Sequence, residues 1–83
     1  MTQSEFVREH LRAALLHNRI FTKYEMTVEL KSFGITVDSS TVASRLRDLR
    51  MYKYGGMDIQ KSKRSKGVFE YYLPQKNKSG GKI

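Results

Sequence analysis

The chain has 83 residues and no cysteine, so it holds at most one domain and neither a disulfide nor a thiolate zinc site. Sixteen Lys and Arg stand against eight Asp and Glu, a net charge of +8 that favours polyanions, nucleic acid before anionic membrane. The longest apolar run is four residues, at 13–16, far short of the ~20 needed to cross a bilayer, and no charged region followed by an apolar stretch suggests a signal peptide.

Thr2 and Glu5 have capping-box spacing, which predicts a helix opening at Thr2 or Ser4. Val7, Leu11, Ala14 and Leu15 recur at helical spacing as its buried stripe, with Phe6 and Leu16 beside it and Arg8 and Arg12 on the outer side. His17 and Asn18 mark its end, because Asn tolerates the left-handed conformation. Residues 19–22 read as a short extended link with one or two strand pairs.

Thr22 and Glu25 repeat the capping device and start a second helix that runs to about residue 33. Met26, Leu30 and Phe33 are expected on its inner side, with Val28 filling in. Gly34 stands where a helix end wants positive φ, and Ile35 and Val37 are placed to pin the following turn to the core. Asp38 is the expected N-cap of a third helix over Ser39–Arg50, with Val42, Leu46 and Leu49 as its inward stripe.

Gly55 and Gly56 break the helical pattern. Met57 and Ile59, then Phe69, Tyr71 and Leu73, alternate at a period of two and predict a hairpin. Residues 61–67 read as its long loop, with Lys61, Lys63, Arg64 and Lys66 within six positions. Pro74 closes the strand, and residues 75–83 read as a disordered basic tail. The expected architecture is therefore α+β: one domain over residues 1–74, three helices packed on a β-hairpin.

This order of parts resembles the winged helix-turn-helix family. The resemblance covers roughly residues 4–74. It rests on T-x-x-E-M-x-x-E-L from Thr22, on the turn Gly34-Ile35-Thr36-Val37, on S-x-T-V-x-x-x-L-x-x-L from Ser39, and on Tyr71-Tyr72-Leu73. It implies a double-stranded DNA-binding protein, with Ser39–Arg50 as recognition helix and residues 61–67 as wing. Chains of this size and make-up also resemble small phage, plasmid or bacterial regulators, which would act in transcription or as accessory factors of a mobile element. The implied location is the cytoplasm: nucleoid-associated in a bacterium, intracellular in the host for a phage.

Helical geometry supports the mapping from the residues alone. Opposite the stripe Val42, Leu46 and Leu49 lie Ser40, Ser44, Arg47 and Asp48, with Thr41, Ala43 and Arg45 on the flanks. The candidate DNA contacts on this helix are Ser39, Ser40, Thr41, Ser44, Arg45 and Arg47, whose hydroxyls and guanidinium groups can bond bases or phosphates. Asp48 would repel phosphate. It is expected to pair with Arg45, to orient Arg47, or to accept from a cytosine amine. Lys61, Lys63, Arg64 and Lys66 would grip phosphates, with Arg64 the best candidate for a minor groove. Guarding a hairpin edge against pairing explains one or two such cations more readily than four.

Other chemistry finds little support. Tyr52, Tyr54, Phe69, Tyr71 and Tyr72 could stack on single-stranded bases, but packing is the commoner use of aromatics. His10 and His17 are seven apart without further ligands nearby, so no metal or cofactor is expected. There is no phosphate-binding glycine loop and no nucleophile elbow, and the chain reads as a non-enzyme. A protein-docking module with Phe6, Tyr54 or Tyr72 as anchor is the second class, and RNA binding the third. The residues leave open whether the first helix buries its stripe within one chain or partly across a homodimer.

Overall fold

The computed structural model describes residues 1–74; the tail expected at 75–83 lies outside the described residues. The elements run α1 (Gln3–Leu16), β1 (Phe21–Thr22), α2 (Lys23–Ser32), α3 (Ser39–Arg50), a 3-10 turn (Tyr52–Tyr54), β2 (Gln60–Ser65) and β3 (Val68–Tyr72). The three strands form one antiparallel sheet in the order β1-β3-β2. This is an α+β fold in the layout of a winged helix.

Local chemistry starts and stops the helices where the sequence suggests. Thr2 Oγ1 accepts from the Glu5 amide at 3.1 Å while the Glu5 carboxylate accepts from the Thr2 amide at 2.7 Å. Thr22 and Glu25 repeat the exchange at 3.0 and 2.9 Å. Each box satisfies two amides that no helical carbonyl can reach. At the end of α1, Asn18 takes a φ of 61°, its amide donates to Leu15 O, and Arg19 N donates to Ala14 O at 3.0 Å. At the end of α2, Gly34 takes a φ of 83°, its amide donates to Lys31 O, and Ile35 N donates to Leu30 O at 3.0 Å. Both ends are Schellman motifs, and in the second Ile35 folds back onto the core.

The core joins Val7, Leu11, Ala14 and Leu15 of α1 to Phe21, to Met26 and Leu30 of α2, to Val42, Leu46 and Leu49 of α3, and to Ile59. Ile35, Val37, Met57, Tyr71 and Leu73 pack on its edge. All three expected helical stripes are present, with corrections at their margins. Val28 is 71% exposed because it lies two residues, about 200°, from Met26. Phe33 caps the end of α2 rather than extending its stripe and is 59% exposed, its ring meeting His10 edge-on at 5.4 Å. Arg8 is not on the outer side. Its side chain is only 14% exposed and its guanidinium lies 4.2 Å over the Tyr54 ring.

The hairpin differs most from expectation. β2 pairs with β3 from Gln60 to Ser65, so the segment read as a long loop is strand, and the turn is only Lys66 and Gly67. Residues 61–65 are polar on both faces and carry no alternating signal, and the ladder to β3 orders them instead. Pairing starts after Met57 and Ile59, which enter the core ahead of the strand. Phe69 is 37% exposed because β1 flanks β3 only at Glu70 and Tyr71, leaving Phe69 on the two-stranded part.

Candidate nucleic-acid interface

The distribution of charge begins with the carboxylates, of which the chain has eight. Each has a partner within the fold. Glu5 and Glu25 close capping boxes, and Asp38 accepts from the Thr41 amide at 2.9 Å. Glu9 pairs with Arg12 at 2.9 Å, Asp48 with Arg45 at 2.9 Å, and Glu70 with Arg64 at 2.6 Å. Asp58 accepts from the Gln60 side-chain Nε2 at 2.6 Å. Glu29 accepts from Nη1 and Nη2 of Arg19, at 2.9 and 2.5 Å, and contacts His10 Nε2.

Several carboxyls are shifted accordingly. Hydrogen bonds from Arg19 pull Glu29 down to about 2, against the opposing effect of burial and with help from His10. Arg64 lowers Glu25, and the Ser40 hydroxyl, followed by the Thr41 amide, lowers Asp38. In return Glu25, then Glu70, raises Arg64.

With the acids engaged, Arg47, Lys61, Lys63 and Lys66 have no carboxylate at ion-pair distance among the described residues. All four side chains are exposed. Lys23, Lys31 and Lys53 are likewise without an acidic partner, and Arg50 donates to the Ile59 carbonyl at 3.0 Å.

The expected contacts on α3 separate. Arg47 alone offers an unpaired cation on the outer face. Ser40 and Thr41 donate their hydroxyls to Asp38 at 2.8 and 2.9 Å, so both serve the cap. Ser39 and Ser44 are half-buried. Arg45 turns back toward α1: Nη1 donates to Ser4 Oγ at 3.1 Å, and Nε lies 2.9 Å from Asp48 without hydrogen-bond alignment. Of the roles open to Asp48, pairing with Arg45 is the one present.

On the hairpin, Lys61 is opposite Tyr71 and Lys63 opposite Phe69, so both lysines share one face with those rings. Lys61 Nζ stands 4.9 Å over the Phe69 ring. Lys66 sits in the turn. Arg64 differs from the three lysines, because Glu25 and Glu70 hold its guanidinium.

Two backbone-directed bonds tie this hairpin to α3. Met57 N donates to Leu49 O at 2.8 Å, and Arg50 reaches Ile59 O. No spacing rule announces either bond, since both join residues across an irregular connection. Tyr52, one of the aromatics considered above for stacking on bases, is 96% exposed on the turn that follows α3. The docking anchors considered from sequence are half-buried: Phe6 stacks on His10 at 6.0 Å, Tyr54 lies under Arg8, and Tyr72 lies on β3.

The architecture and its charge distribution define a small basic α+β domain with winged-helix layout. No family model, no curated protein and no solved structure matches the chain. Among the described residues, no helix is long and apolar enough to cross a membrane.

Proposed function

We propose that this is a double-stranded DNA-binding protein of winged helix-turn-helix type. α3 enters the major groove with Arg47 toward base edges, and Lys61, Lys63 and Lys66 hold the flanking backbone. One observation supports this above the others. Among the described residues every side-chain carboxylate is engaged inside the fold, while these four cations are exposed without an acidic partner. Such a surface gains free energy by releasing counterions from a duplex. Arg47 supplies the group suited to a guanine edge, and the lysines supply sequence-independent grip. The protein acts in transcription control or as an accessory factor of a mobile element, in the cytoplasm, without catalysis.

The test is fluorescence anisotropy with a random-sequence duplex over a salt series, with structured RNA as competitor. Three lysine–phosphate contacts give a slope of log K against log salt of about −2.7, before any contribution from the C-terminal lysines. Duplex binding that ignores salt, or no binding at low salt, sinks the proposal. Preference for structured RNA over duplex moves it to the other nucleic acid.

A further inference from the structure

Arg64 is the hairpin cation that has carboxylate partners. Its Nε and Nη2 meet Glu70 Oε2 at 2.7 and 2.6 Å, and its Nη1 meets Glu25 Oε2 at 2.7 Å. Glu70 belongs to β3. Glu25 belongs to the first turn of α2, where its other oxygen, Oε1, accepts from the Thr22 amide. One guanidinium therefore bridges the hairpin to the opening turn of the helix that precedes α3.

The backbone is arranged for this. The register of β2 against β3 shifts between Lys63 and Ser65, which leaves Arg64 as the extra residue of a bulge. A bulge bends its strand and re-aims one side chain. Lys61 and Lys63 lie on the face shared with Tyr71 and Phe69, while Arg64 reaches Glu70, the cross-strand partner of Ser62, on the other face. A phosphate bound by Arg64 would have to replace two charge-assisted hydrogen bonds and a further close ion-pair contact. It would also leave two carboxylates facing a polyanion with their counter-charge removed.

We infer that Arg64 is a positioning residue: it locks the hairpin against α2, sets Lys61, Lys63 and Lys66 for the backbone, and does not itself touch DNA, a role whose DNA arm rests on the duplex-binding reading above. A wing held in place before binding loses less side-chain and loop freedom on the duplex.

Two variants test this, each removing the charge of one partner. Arg64→Gln breaks both pairs. Glu25→Gln breaks only the link to α2, because the amide oxygen still accepts from Thr22. Both are titrated with a random-sequence duplex between about 50 and about 200 mM salt, and amide hydrogen exchange is followed along β2 and β3. The expected result is a Kd raised about five- to tenfold at every salt concentration, an unchanged slope, and faster exchange in the hairpin. A slope smaller in magnitude by about 0.9 in Arg64→Gln means that Arg64 held a phosphate, and overturns the inference. Unchanged affinity and unchanged exchange overturn it as well. If the wild type binds no duplex, the DNA-binding reading fails and exchange decides alone: faster exchange in both variants upholds the lock, and unchanged exchange removes it.

Discussion

Arg19 and Glu29 form a bidentate ion pair that ties the link after α1 to the middle of α2. The two guanidinium nitrogens meet the two carboxylate oxygens at 2.9 and 2.5 Å, and His10 of α1 contacts the same carboxylate. The geometry explains why Glu29 titrates near 2 rather than at its ordinary 4.5.

That depression sets a pH dependence. A carboxyl whose folded pKa lies below its unfolded value adds stability above the unfolded pKa and loses it as pH falls through the folded one. Glu29 therefore contributes fully above about 4.5, and the contribution drains away toward about 2. Glu5, Glu25 and Asp38 are also lowered and act in the same direction. Thermal unfolding followed from pH 7 to 2 should show a falling midpoint below about pH 4.5. Glu29→Gln should lower stability at pH 7 by about 1–2 kcal/mol, allowing for solvent screening, and have little effect at pH 2. An equal loss at both pH values would contradict the assignment.

Leu46 is 2% exposed at the centre of the α3 stripe. Leu46→Ala should cost about 3 kcal/mol, from lost transfer free energy and the cavity left behind. For a domain of this size that is a large part of the total stability. Urea unfolding read by circular dichroism measures it. A loss under about 1 kcal/mol would mean that the stripe is not closely packed.

Gly34 and Gly55 should respond differently to alanine. At Gly34 an added Cβ meets nothing within 4 Å, so only the backbone strain of φ 83° counts, about 1 kcal/mol. At Gly55, φ is 117° and the Cβ would stand 2.8 Å from Arg12 Nη1. The arginine tip can move, but doing so disturbs its pairing with Glu9. Gly55→Ala should therefore cost more than Gly34→Ala, and equilibrium unfolding of the two variants ranks them.

Arg47→Ala and the double variant Lys61→Gln/Lys63→Gln separate base reading from backbone grip. The first should lower discrimination between a selected site and random duplex by about 1–3 kcal/mol. The second should weaken both duplexes alike and reduce the salt slope by about 1.8. Exposed side chains are changed in each case, so circular dichroism should match the wild type. If the lysine variant keeps the wild-type slope, those lysines do not contact phosphate.

The helical half of the fold was legible because its signals are local. Capping boxes act over three residues, Asn18 and Gly34 act at single positions, and the stripes repeat within one helix. The hairpin was harder to read. A strand of six exposed residues has no apolar alternation, and its pairing depends on residues across the turn. The candidate interface was legible only as a set of basic side chains. Asp48, three residues on from Arg45, marked that pair, but nothing in the spacing of Arg8 and Arg64 separates them from Arg47, Lys61 and Lys63.

Sequence by itself determined where helices begin and end, which face of each is buried, and that an excess of cations must lie at the surface. Those outcomes follow from short-range hydrogen bonds, periodicity and the cost of burying unpaired charge. Only the tertiary structure decided which cations are already neutralised. Arg64 finds Glu25 from 39 residues away, and Arg19 finds Glu29 from 10 away. Such pairs form because packing the helices against the sheet brings distant side chains within a few ångströms, and no spacing along the chain encodes that proximity.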